Sequence, residues 1–216
     1  MKIAIIGATG FVGKHLVAEL SSRQHDIKAF ARNIDIVPSS ENLEKVALDV
    51  NDVEKLAENL AGVEVVVSAF NAGWSNPNLY DDFLNGSKAI QEATKKAGIK
   101  RLIVIGGAGS LYAAEGVQIV DTPDFPTEIK PGALAARDYL NILKEEQDLD
   151  WTFFSPAIEM HPGTSGIRKG TYRVGTDYPV VDENGRSVLS VEDVAVVIAD
   201  EVEQPKHIKK RFTAAY

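Results

Sequence analysis

Lys2-Ile-Ala-Ile-Ile-Gly-Ala-Thr-Gly-Phe-Val-Gly-Lys14 decides the reading of this chain. Lys2 to Ile6 is a short apolar run rich in β-branched residues, the composition of a strand buried on both faces of a parallel sheet. Three glycines follow at regular spacing, Gly7, Gly10 and Gly13. From Phe11 to Leu20, the residues Val12, Leu16, Val17 and Leu20 share one helical face. Strand, glycine turn and helix together are the setting in which a glycine pattern becomes a dinucleotide site. Each glycine has its own task there. Gly7 turns the chain off the strand, Gly10 leaves room for a pyrophosphate, and Gly13 lets the helix pack close to the strand. The helix start adds unpaired N–H groups and a partial positive charge.

Outward from this unit, apolar runs and amphipathic stretches alternate. Strands are expected at Asp26–Ala31, Leu43–Leu48, Val63–Ala69, Arg101–Ile105 and Asp150–Ser155. Helices are expected at Asp52–Leu60, from Asn78 to Ala97 and from Pro131 to about Gln147. This alternation predicts an α/β fold, a doubly wound parallel sheet of the Rossmann kind. Pro131 suits the first turn of its helix, where a missing N–H costs nothing. Residues 106–130 have no helical period and are too long for a plain connection. Residues 156–189 are rich in Gly, Pro and β-formers. They read as a small, irregular C-terminal substrate region with one or two short strands, at Thr171–Val174 and Val180–Val181. Ser190 caps a closing helix with Asp193 as its capping-box partner, and Lys210–Thr213 adds a final strand. No repeat or linker divides the chain, so residues 1–216 are expected to form a single domain.

A net charge of −8 argues against a nucleic-acid or anionic-membrane surface. A phosphate-bearing ligand must then be held by local N–H groups and a few placed cations. The chain has no cysteine, which excludes disulfides, thiol catalysis and thiolate metal sites and makes the cytoplasm the expected compartment. Histidines 15, 25, 161 and 207 are scattered without metal-ligand spacing, so no metal site is expected. No apolar run is long enough to span a membrane, and no signal peptide is expected ahead of the first strand.

The end of the second strand sets the cofactor preference. NAD sites place an acidic residue about 20 positions past the glycine turn, on the ribose 2′-OH. Here that neighbourhood reads Phe30-Ala-Arg-Asn33, with no carboxylate. Arg32 is the charge-assisted partner that a 2′-phosphate needs, so NADP(H) is expected over NAD(H). The alternatives for Arg32 are a solvated loop cation or a stack on the adenine. Phe11 and Val12 join the glycines as expected cofactor-binding residues, with Thr9 and Lys14 weaker candidates for the phosphate end.

Gly7-Ala-Thr-Gly-Phe-Val-Gly13 resembles the motif of the short-chain dehydrogenase/reductase superfamily, in its atypical branch. Later stretches narrow the resemblance: Gly106-Gly-Ala-Gly-Ser-Leu111, Trp151-Thr-Phe-Phe-Ser-Pro-Ala157, Ser190-Val-Glu-Asp193 and Arg211-Phe-Thr213. Together they resemble the NADH-flavin reductase group, kin to biliverdin-IXβ/flavin reductases and NmrA-like proteins. The resemblance covers nearly the whole chain. It implies that Asp49 bonds the adenine amino group beside the Val50 backbone, helix capping being its alternative role. It implies that Ser68, Ala69, Phe70 and Asn71 flank the cofactor riboses, Phe70 packing either on the cofactor or in the core. It implies that the Pro156-Ala157 turn meets the nicotinamide amide, and Gly107 is expected among the cofactor-binding residues. Ser110 is the nearest match to the superfamily's catalytic serine, and a turn residue satisfying its own backbone is the alternative.

One absence selects among chemistries. Ordinary short-chain reductases use Tyr-x-x-x-Lys, in which the tyrosine moves the substrate proton. No tyrosine here has a lysine four residues on, and Tyr139 and Lys144 are out of step. The place where the pair would sit reads Ala133-Leu-Ala-Ala-Arg137. Reducing an isolated ketone needs a proton donor as the alkoxide develops. A flavin spreads the incoming charge over its ring system and takes its proton from solvent, so the protein mainly positions two flat rings. The expected function is therefore hydride transfer from NADPH to a flavin or similar conjugated acceptor, the flavin being substrate rather than prosthetic group. Two other readings stand beside it, a non-catalytic NADP(H)-binding regulator of the NmrA kind and an epimerase or dehydratase. Trp74 and Tyr112 are candidates to stack on the acceptor, and Ser110, Tyr112 and His161 are candidate proton donors. The expected partner is a small-molecule acceptor, and the chain is expected to act as a monomer or homodimer.

Overall fold

In the computed structural model, which describes residues 1–216, β1 (Lys2–Ile6) stands inside the main sheet. Its Ile3 and Ile5 enter one apolar core while Ala4 and Ile6 enter the other, which is why the run is apolar without interruption. The chain continues as α1 (Gly13–Ser22), β2 (Asp26–Ala31), β3 (Leu43–Ala47), α2 (Val53–Asn59), β4 (Val65–Ser68) and α3 (Leu79–Lys96). After β5 (Arg101–Ile105) come β6 (Tyr112–Ala114), β7 (Val117–Gln118), α4 (Lys130–Lys144), β8 (Asp150–Phe154), β9 (Arg173–Gly175), α5 (Val191–Glu203) and β10 (Lys210–Ala215).

The eight-stranded sheet has the order β3-β2-β1-β4-β5-β8-β10-β9. Every pairing is parallel except that of β9, which closes the edge antiparallel to β10. Helices α1 and α5 cover one face over a core of 26 buried residues, and α2, α3 and α4 cover the other over 24. The connections leave β1 toward β2 and β3, then cross back to β4, β5 and β8. This reversal opens a crevice at the carboxyl ends of β1 and β4, the place where doubly wound sheets bind ligands.

The long loop after β5 is partly built. A short 3-10 turn at Ala108–Ser110 leads into a small antiparallel hairpin of β6 and β7, turned at Gly116 with φ +72°. In the 156–189 region only one strand forms, β9, shifted from the expected Thr171–Val174. Val180–Val181 is not a strand. Val180 packs its side chain against Gly175, and Val181 gives its carbonyl to Arg173. Helix α5 is capped by the Ser190 hydroxyl, which accepts from the Asp193 amide at 3.1 Å. Asp193 does not complete a capping box. It is fully buried, and its carboxylate accepts the amides of Lys169 at 2.9 Å and Gly170 at 2.8 Å, anchoring the irregular region to α5.

Candidate functional site

The glycine turn is closed by contact, not by flexibility. Gly7 has φ +81°, and a Cβ there would lie 2.6 Å from the carbonyl oxygen of Ala69. A Cβ on Gly13 would lie 2.1 Å from the carbonyl oxygen of Gly7, so α1 presses directly on the turn. Gly10 meets only that same carbonyl, at 3.2 Å, and its outer side stays open. The amides of Thr9, Phe11 and Val12 donate to no backbone carbonyl. Val12 supplies no side-chain cap to α1, and the first turn holds no acidic residue. A helix start of this kind is an anion site in waiting. Burial holds His15 below its ordinary pKa, with Glu192 opposing and Lys14 assisting, so at neutral pH it adds no charge there.

A cavity of about 270 Å³ opens beside this turn. Gly7, Thr9, Gly10, Arg32, Asp49, Val50, Ala69, Phe70 and Asn71 all line it, which brings together most of the residues expected at the adenosine and phosphate end. Phe11, Val12 and Gly13 lie behind in the turn and first helical residues, and Ser68 is buried in the last position of β4. Phe30, Ala31, Leu48, Asn51, Ala72, Asn76 and Asp82 line the cavity without having been singled out from sequence. Ala31 is the residue before Arg32 and Asn51 follows Val50, so their places could be read from those neighbours. Asn76 and Asp82 carry no local signal.

Arg32 is exposed and is the only cation lining the cavity; it enters no ion pair within the chain. Asp49 does not cap α2, since Asp52 does that by accepting the Lys55 amide. One oxygen of Asp49 instead accepts both the Asn51 amide and its side-chain nitrogen at 3.0 Å, while the residue stays exposed on the cavity wall. Phe70 packs in the core and also borders the cavity. It stacks on Phe83 at 6.1 Å and fills the space beside Gly86, while its ring also lines the cavity.

Beyond the cavity, at the carboxyl ends of β5 and β8, the candidate residues separate. Gly107 is half-buried against Ala136, and Pro156 and Ala157 are buried just past β8. Ser110 is fully buried. Its hydroxyl donates to the Gly107 carbonyl at 2.8 Å and sits 2.8 Å from the Ser155 hydroxyl. Tyr112 is half-buried, with its ring 5.9 Å from Tyr178 and 5.3 Å from the Arg211 guanidinium. His161 is exposed and caps a 3-10 turn, its Nδ1 accepting from the Gly163 amide at 3.1 Å. Ser110, Tyr112 and His161 thus lie in three separate settings, with no hydrogen bond between any two of them.

Three further side chains near this mouth are committed elsewhere. Tyr139 is fully buried in the core, where burial pushes its hydroxyl pKa up, so it offers no proton outward. Arg137 faces away, bound to Asp138 at 2.9 Å and Asp121 at 3.1 Å. Arg168 is not a ligand-facing cation. It clamps Glu19 of α1 with bonds of 2.8 and 2.9 Å. The groups of His, Asp and Glu form no cluster that would hold a metal, and no helix is long and apolar enough to cross a membrane.

A Rossmann sheet with an uncapped, glycine-bounded helix start at its switch point defines a nucleotide-binding protein. Residues 7–205 match the family described as NAD(P)H-binding, and the chain belongs to that family. Solved structures agree over the full length. A Bacteroides thetaiotaomicron protein described as a candidate epimerase is 41% identical, with TM-score 0.91, covering 100% of this chain and 96% of that one. A candidate exported protein of Burkholderia pseudomallei is 41% identical, with TM-score 0.87 and full coverage of both chains. SP1627 of Streptococcus pneumoniae TIGR4, described as a candidate NADH-flavin reductase, is 34% identical with TM-score 0.86, covering 100% and 99%. The cofactor is therefore a nicotinamide nucleotide. The space left at Gly10, the contact-closed glycines and the unpaired amides are what such a group requires.

Proposed function

We propose that this chain is an NADPH-dependent reductase of a flavin or a similarly conjugated small acceptor. The observation that carries the reading is the pairing of a complete nucleotide cradle with an alanine, Ala133, where a proton-relay tyrosine would stand. When bound, the cofactor supplies hydride. The Thr9, Phe11 and Val12 amides and the α1 start hold its phosphates. Asp49 receives the adenine amino group, and Arg32 meets the 2′-phosphate. Ser68, Ala69, Phe70 and Asn71 flank the riboses, and Gly107, Pro156 and Ala157 set the nicotinamide end. The mouth then orients two flat rings and excludes water, while solvent provides the proton. The flavin is a diffusible substrate, and the reaction is assigned to the cytoplasm, the Burkholderia relative's description notwithstanding. Ser110, Tyr112 and His161 remain the candidate donors should an acceptor need one from the protein.

The SP1627 likeness supports the flavin acceptor, and the Bacteroides likeness supports the epimerase alternative. The missing Tyr–Lys pair favours the first, because epimerases of this superfamily also depend on that pair. It equally favours a non-catalytic NADP(H)-binding regulator. Calorimetric titration with NADPH and NADH tests the cofactor half of the proposal. Tighter binding of NADPH supports it, and equal or weaker binding of NADPH removes the Arg32 assignment.

A further inference from the structure

We infer that Trp74 is the stacking platform on which a flat, aromatic or quinonoid acceptor docks. The inference rests on the reductase reading and narrows its substrate class. Trp74 is 61% exposed, whereas the second tryptophan, Trp151, is 3% exposed in the core. Its exposure is not that of a loose loop. The side-chain oxygen of Asn71 accepts from the Gly73 amide at 2.7 Å, and Asn76 bonds the Gly73 carbonyl through its amide at 3.0 Å. Asn76 also donates to the Ala72 carbonyl at 3.3 Å and to Asp82 at 2.8 Å, and accepts from the Asn78 amide at 2.9 Å. The segment is thus fixed by asparagine side chains, and the indole is held without being buried.

Its place is equally specific. Asn71, Ala72 and Asn76 line the cofactor cavity, so Trp74 stands on the rim of that same loop. The six-membered ring of its indole rests on the first turn of α4. A Cβ on Gly132 would lie 2.8 Å from its Cζ3, so the ring packs closely against that glycine. Gly132 immediately precedes Ala133, the position that replaces the proton-relay tyrosine. Ile129, just ahead of α4, and Ile158, just past β8, are 43% and 51% exposed and give the neighbouring loops apolar side chains as well. Tyr112, the other candidate platform, is already engaged by Tyr178 and Arg211. An exposed aromatic face held in one position lowers the ordering cost of a planar partner and offers little to an aliphatic ketone or a sugar.

Two readouts on the full-length protein test this. Riboflavin is titrated into the protein while tryptophan emission is followed, and NADPH oxidation is measured at varied riboflavin. The expected results are a saturable quench that disappears in Trp74→Phe, which keeps Trp151, and a riboflavin KM raised about tenfold in Trp74→Ala. The rate at saturation and NADPH affinity stay unchanged, and Trp74→Phe restores the wild-type KM. An unchanged KM in Trp74→Ala, or no saturable quench in the wild type, overturns the inference while leaving a reductase in place. If neither riboflavin nor any other conjugated acceptor raises NADPH oxidation by the wild type, the reductase reading fails separately. The quench then decides the platform: a saturable signal lost in Trp74→Phe supports it, and its absence overturns it. The quench also decides should Trp74→Ala fail to fold.

Discussion

A Cβ on Gly13 would lie 2.1 Å from the carbonyl oxygen of Gly7, so the first helix sits as close to the first turn as two glycines allow. The neighbouring atoms are backbone and cannot swing aside. Gly13→Ala is therefore expected to push α1 away from the turn and to cost about 1–3 kcal/mol of stability. Displacing α1 also displaces the unpaired amides. Urea unfolding together with NADPH titration checks both effects, and NADPH affinity should fall by at least about tenfold.

Arg32 is the only cation lining the nucleotide cavity, and no carboxylate of the chain pairs with it. A charge-assisted bond to a 2′-phosphate contributes about 1.5–3 kcal/mol. Arg32→Ala should weaken NADPH binding by roughly ten- to a hundredfold and leave NADH binding within about twofold, as read by parallel titrations.

Glu19 links α1 to the irregular region through Arg168 and to α5 through Arg23. Hydrogen bonds from Arg168 hold its carboxyl below the usual value, against the opposing effect of burial and with help from Arg23. A lowered folded-state pKa contributes stability that is fully present above the unfolded value of about 4.5 and is lost as pH falls through the folded value. Stability should therefore decline as pH drops below that range, and Glu19→Gln should flatten this part of the profile. At neutral pH the same variant should lose about 1–2 kcal/mol, because two guanidinium groups lose their shared partner. Denaturant melts across the acid range measure both.

Asp193 is fully buried and accepts the amides of Lys169 and Gly170 as well as the hydroxyl of Tyr216. Asp193→Ala leaves two backbone donors unpaired and should cost about 2–4 kcal/mol. Limited proteolysis should then cut within residues 156–189 before the rest of the domain.

The strands could be read in the sequence because a sheet buried on both faces demands uninterrupted apolar runs, as in Lys2–Ile6 and Arg101–Ile105. The glycine turn could be read because Gly7 and Gly13 answer to backbone sterics that no other residue satisfies. The hairpin of β6 and β7 could not, since Ala113, Ala114 and Val117 are exposed and leave no apolar alternation. The pairing of Arg168 with Glu19 could not be read, because the two lie far apart in the chain and no local pattern announces such a pair. Asp193 looked like a capping residue for the same reason: the amides it binds come from a distant, irregular segment. Asn76 and Asp82 reach the cavity only through the packing of α3 against the loop after β4.

The most direct test of the account is the initial rate of NADPH oxidation by the wild-type protein, with and without riboflavin. The account predicts a rate that rises with riboflavin, saturates in both reactants and is lower with NADH. A rate indifferent to riboflavin and to other conjugated acceptors, in a protein that still binds NADPH, would contradict the assigned reaction and leave a nucleotide-binding regulator in its place.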